Sequence, residues 1–276
     1  MTENDVKNGG VAEGAVAYAG WSMDDHFPKG FYYEGGHPTI YHPAPSPWMI
    51  PFGAIVAKTK DNLLFAGRNI SVTHAALSSS RVMATCGLLG QALGTAVSIA
   101  VKDNRHIYDI DVSKLQQTLL WDDSYIPGVN RELSDITRKA KYPDEVLRNC
   151  HDREDSYGKN RYDAELGEPI EFSFENSTYI DEMRIVFDSN LDRGYKNMPC
   201  RFALDEPDYK LPDTLVKEFT VTAYDEKGGI KSTFEISKNR QRLVKIPLGT
   251  DCSKVVLTPT ATHGCDKARI FSVDFR

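Results

Sequence analysis

The chain has no C-x-x-C pair, and its five cysteines (Cys86, Cys150, Cys200, Cys252 and Cys265) are an odd number. That count and spacing exclude a zinc ribbon and a fully paired disulfide framework, and read as free thiols. No cluster of Lys and Arg appears, and the formal net charge is −6, which excludes non-specific nucleic-acid binding. The opening stretch MTENDVKNGG is polar and has no apolar core, so it is not a secretory signal, which favours a cytoplasmic location. His26, His37 and His42, with Asp24 and Asp25, match no helix-borne ligand spacing such as H-E-x-x-H, so no metal is expected. No G-x-G-x-x-G is present, since Gly9-Gly10 and Gly35-Gly36 are not that fingerprint; the sequence therefore lacks a dinucleotide-phosphate cradle. One run lacks charge: Val82 to Val101 is long enough to span a bilayer and contains Gly90-x-x-x-Gly94. Its Thr85, Gln91, Thr95 and Ser98, its few large aliphatics and its missing aromatic belts predict a buried helix and no membrane partner.

That helix belongs to the most informative stretch, NLLFAGRNISVTHAALSSSRVMATCGLLGQALGTAVSIAV over residues 62–101. Leu63, Leu64 and Phe65 read as a short strand stopped by the Ala66-Gly67-Arg68 turn. A polar loop follows over residues 69–80, and Ser78, Ser79 and Ser80 are expected to cap the long helix. A chain delivered to a helix start meets free N–H groups that favour anionic or electron-rich ligands. Gly87, Gly90 and Gly94 lie on one stripe of the helix, where each costs about 0.5–1 kcal/mol relative to Ala. Close approach of another helix, a sheet or a cofactor accounts for such a stripe.

In order and spacing this stretch resembles the C-terminal signature of a family of bacterial FAD-dependent oxidoreductases, and the resemblance extends back over residues 21–53. It implies a partial flavoprotein domain that completes an FAD site with Gly67, Arg68, Ser71, His74, Arg81, Val82, Met83 and Thr85. Arg81 and the N–H groups of residues 82–85 would face the electron-rich edge of the flavin. This chain departs from flavoprotein practice at Arg68, where many carry an Asp, and in lacking the nucleotide-binding motif. The implied FAD therefore belongs to a complete enzyme, and this chain alone should bind it weakly or not at all.

Residues 21–53 hold six prolines, three histidines and many aromatics, a composition expected of a long extended loop walling a pocket for a flat or sugar-like small-molecule substrate. Asp25 beside His26 is the first acid/base candidate, because a carboxylate tunes an imidazole near neutral pH. His42 and His74 are the next candidates. Residues 1–20 read as loosely ordered at their start. Residues 109–123 read as an amphipathic helix capped by Asp111 or Ser113, with Leu115, Leu119 and Leu120 inward.

From Glu168 the hydrophobic period becomes two: Ile170/Phe172/Phe174, Met183/Ile185/Phe187, Phe219/Val221/Ala223, Phe234/Ile236, Val244/Ile246/Leu248, Val255/Leu257 and Val273/Phe275. Many short strands predict an antiparallel β-sandwich, and their order resembles discoidin-like, galactose-binding-type jelly rolls. That resemblance implies glycan binding by loops carrying Tyr157, Arg161, Tyr162, Arg193 and Tyr195. The expected fold is α+β: residues 1–128 a partial flavoprotein domain, 129–165 a linker with a short helix near 130–139, and 166–276 the sandwich. The expected function is part of an FAD-dependent oxidoreductase with an appended carbohydrate-binding-like domain. A non-catalytic carbohydrate-binding or interaction protein is the alternative.

Overall fold

The computed structural model describes residues 1–10, 12–45, 47–154, 160–191 and 211–276. It divides into two compact units, residues 1–131 and 132–276. The fold is α+β.

The first unit begins with helix α1 (Glu3–Lys7), closed by a reciprocal cap between Thr2 and Asp5. Val6 is fully buried, so the start of the chain is folded and not loose. Gly10 carries the chain onward at φ +52, where an added Cβ would lie 2.5 Å from that of Trp48. Only glycine fits such a turn. Strand β1 (Ala15–Ala19) pairs antiparallel with β4 (Trp48–Pro51). Between them, β2 (Met23–His26) and β3 (Thr39–His42) form a second antiparallel pair. The segment expected to be one long loop therefore holds the β2–β3 pair and strand β4, the partner of β1. Its prolines fall outside the β2–β3 ladder, where no backbone donor is needed.

The helix was expected to start after three capping serines, but Ser78, Ser79 and Ser80 end a helix of their own, α2 (His74–Ser80). The Ser78 and Ser80 hydroxyls donate back to carbonyls one turn earlier, and Ser79 accepts from the buried Trp48 indole at 2.9 Å. The chain breaks at Arg81 and restarts as α3 (Met83–Lys102), whose N-cap Val82 supplies no side-chain oxygen. Helix α4 (Val112–Trp121) is capped by Asp111, which accepts from Ser113 N and Lys114 N. Leu115, Leu119 and Leu120 are buried.

Helix α3 is buried on one face only. Thr85, Leu89, Ala92, Leu93, Ala96, Ile99 and Ala100 pack inward, while Met83 is 92% and Val101 75% exposed. A Cβ added at Gly87, Gly90 or Gly94 would meet nothing within 4 Å. The expected buried helix is therefore half open, and no neighbour in this unit presses on its glycine stripe.

The second unit is a sandwich made by one sheet folding over itself. Its strands are β5 (Tyr162–Glu165), β6 (Ile170–Phe187), β7 (Val216–Tyr224), β8 (Ile230–Ile236), β9 (Leu243–Thr262) and β10 (Lys267–Phe275), in the order β5-β10-β6-β9-β7-β8. The second half of β6 pairs with β10 and with the start of β9; the first half of β6 pairs with the end of β9, which also carries β7. Register breaks in β6 after Ser173 and after Ile180 let the strand turn from one layer into the other. Phe172 meets Phe275 at 5.5 Å and Phe187 meets Phe219 at 5.1 Å, each pair joining the two layers edge-on or tilted.

The expected linker over 129–165 is not a connector from residue 132 onward. Helix α5 (Asp135–Lys139) is fixed to the end of β10 by Thr137, whose hydroxyl donates to Phe275 O at 3.1 Å and accepts from Phe275 N at 2.8 Å. The Tyr142 hydroxyl donates to Val273 O at 2.9 Å, and Leu147 is fully buried in the sandwich core. Few aliphatics are needed because hydroxyl contacts replace them.

Candidate functional site

The expected site residues of the first unit fall around the β2–β3 pair and the α2–α3 break. Successive strand residues face opposite sides, so Asp25 does not pair with His26. Asp25 Oδ1 lies 2.8 Å from His74 Nε2 on helix α2. His26 faces the other way, with Nδ1 3.1 Å from Thr39 Oγ1 and Nε2 3.6 Å from Asp24 Oδ1. That Asp24 oxygen is buried and makes no hydrogen bond. His42 stands opposite Met23 in the ladder, on the Asp25 side of the strand pair, half-buried. The Glu3 carboxyl is held below its usual range chiefly by Lys7, and it also feels His42 and Asp25. The structure thus pairs Asp25 with His74. A sequence reading misses it because the partners lie 49 residues apart.

Arg81 donates from Nη2 to Asp24 O at 2.7 Å, tying β2 to the α2–α3 break. Met83 starts α3, Thr85 is buried one turn in, and no side chain caps the helix start. The first N–H groups of a helix have no partner within it, so this start fits an electron-rich acceptor edge. Gly67 is half-buried, Arg68 and Ser71 are exposed, and Ser71 N donates to Ala54 O at 2.8 Å. A separate depression of about 480 Å³, lined by Glu13, Gly14, Phe52, Gly53, Val112, Ser113 and Gln116, contains none of the expected site residues. Among the described residues no group of His, Cys, Asp and Glu is placed to share a metal.

Residues 1–119 match the family model of FAD dependent oxidoreductases. No curated protein matches the chain.

In the second unit, Arg161 is held by Asp163 at 2.8 Å and by Glu154, and Tyr162 packs on the sandwich core. Tyr157, Arg193 and Tyr195 lie outside the described residues, as does Cys200; the other four cysteines are free. Several solved structures are similar at low identity. A fucose-binding module of Streptococcus pneumoniae is 12% identical and covers 52% of this chain and 98% of its own, with a TM-score of 0.37. The family 32 carbohydrate-binding module from Streptococcus pneumoniae EndoD is 16% identical over 52% of this chain and 99% of its own, at 0.38. A module of a Clostridium perfringens family 31 glycoside hydrolase is 8% identical over 51% and 96%, at 0.36.

Proposed function

We propose that residues 1–131 serve as the substrate-side part of an FAD-dependent oxidoreductase, working with a nucleotide-binding unit that these 276 residues do not contain. The family match over residues 1–119 carries this reading. The uncapped start of α3 beside Arg81 supports it, because free N–H groups and a guanidinium suit the electron-rich edge of a flavin. FAD, when bound, supplies hydride acceptance from the substrate. The chain's own residues orient and move protons. A neutral His74 whose Nε2–H donates to Asp25 leaves Nδ1 free to take a proton from a substrate hydroxyl. Arg81 holds β2 against the helix break and so positions Asp25 relative to His74.

The sandwich reads as an appended glycan-binding domain, a role supported by the strand order that resembles galactose-binding jelly rolls. FAD titration of the purified chain tests the main reading. The chain alone should show no flavin absorbance after desalting, because the pyrophosphate contacts, roughly 1.5–3 kcal/mol for each charge-assisted bond, are missing. Adding the nucleotide-binding unit should restore binding, and Arg81→Ala should then slow flavin reduction more than it weakens flavin retention. Stoichiometric FAD on the 276-residue chain would refute the division of labour.

A further inference from the structure

Strand β8 ends the six-stranded sheet: among the described residues it pairs with β7 alone. The other edge, β5, is four residues long, whereas β8 is seven and contains no proline. Alternate N–H and C=O groups of an edge strand point away from its neighbour, which makes it a template for a further strand. The β7 side is firmly held. In the connecting turn Asp225 Oδ1 accepts from Lys227 N at 2.9 Å and from Gly229 N at 2.7 Å, and Asp225 N donates to Gly229 O at 2.9 Å. Phe234 and Ile236 pack half-buried on the sandwich core.

The outer edge of β8 is complementary to itself. Lys231, Thr233 and Glu235 are exposed at alternate positions, and neither Lys231 nor Glu235 forms an ion pair among the described residues. Set antiparallel about Thr233, a second β8 places its Glu235 opposite Lys231 and its Lys231 opposite Glu235. Ile230, 67% exposed, then meets the second copy's Ile236. The ladder with β7 slips by one residue between Ser232 and Ile230, which leaves Lys231 opposite no residue of β7. A lysine and a bulge keep unrelated strands off an edge. A second β8 answers each Lys231 with a carboxylate, so the edge favours its own copy.

We propose that β8 is a dimer contact, through which two copies of this chain join their sandwich domains, antiparallel about Thr233. This contact is independent of the flavin and glycan readings. One strand pair buries less than the roughly 1,600 Å² of a standard stable interface. The dimer is therefore weak, with a Kd of about 10–100 µM.

Sedimentation velocity of the full chain, from about 5 to about 500 µM, should show a concentration-dependent monomer–dimer equilibrium. Lys231→Glu and Glu235→Lys, both at exposed positions, each set like charges opposite one another twice, and each should weaken dimerisation at least about tenfold. Mixing the two variants should restore it, because both 231–235 pairs of the mixed dimer are then opposite in sign. Restoration also shows that both variants are folded. A chain that stays monomeric at every concentration, as it would if β8 took an unrelated extended peptide, overturns the proposal. So does a dimer that ignores both substitutions, as one formed through the open face of the first unit would, or a loss that mixing does not repair.

Discussion

The two units close their cores in different ways. In the sandwich, large aromatics from both layers meet in the middle: Phe172, Phe187, Phe219 and Phe275 are all fully or almost fully buried. In the first unit, the core mixes aliphatics such as Ile50, Ile55, Leu89 and Leu115 with many small residues, among them Ala15, Ala17, Ala19, Ala76, Ala92, Ala96 and Ala100, around Trp48. The same unit leaves Phe31 96%, Tyr32 81% and Met83 92% exposed. Its open surfaces are the β2–β3 region and the glycine face of α3. A layer that folds onto itself supplies its own cover, whereas the strand pair and the half-open helix leave theirs exposed.

The largest expected effect follows directly. Residues 132–276 expressed alone should unfold cooperatively, while residues 1–131 alone should bind a hydrophobic dye and lack a sharp thermal transition. A cooperative, dye-silent first unit would end the contrast. Within the sandwich, Phe172→Ala should cost about 3–5 kcal/mol in chemical denaturation by emptying the space between the layers. Arg184→Met belongs to the same range. Arg184 is fully buried between Asp152 at 2.7 Å and Asp274 at 3.3 Å, and its loss removes the cation from beside two carboxylates, at about 3–5 kcal/mol. A cost below 1 kcal/mol for Arg184→Met would show that water reaches this ion pair.

A smaller effect is expected with pH. Burial pushes the Cys252 thiol from 9.0 up to about 11, with Asp251 adding to the shift. The thiol therefore ionises first in the unfolded chain. Stability from this group is complete below pH 9 and declines as pH rises toward 11. Cys252→Ala should flatten the alkaline fall in Tm relative to the parent; identical pH profiles would refute this. The smallest effect tests the open helix. Gly94→Ala adds a methyl group that meets nothing and should stabilise this chain by roughly 0.5–1 kcal/mol. The same change should weaken assembly with a nucleotide-binding unit. If it destabilises the chain alone, the glycine face is already covered.

The sandwich was legible because alternation marks a strand with one face inward, and every alternating run named from sequence falls in a strand. Its connectivity was not legible. Ile170/Phe172/Phe174 and Met183/Ile185/Phe187 read as two strands, but both belong to β6, whose register breaks shift the period in between. The β2–β3 pair escaped notice because Asp24, Asp25, Ile40 and Tyr41 show no apolar alternation. At the site, residue types pointed to Asp25 and His74 separately. Their pairing depends on α2 starting at His74, where three serines had suggested a cap for the next helix.

The shared strands also bear on how the sandwich forms and opens. Strand β6 pairs with β9 from Val186 opposite Leu243 outward, so the whole stretch 187–242 is closed into a loop before that ladder exists. Long-range closure of this kind makes folding slow. Because β6 and β9 each run through both layers, one layer cannot leave the other without breaking the β6–β9 ladder. Hydrogen exchange in this domain should then proceed through a single global opening, with matching protection at Phe172 and Ile185, although these residues sit in different layers of one strand.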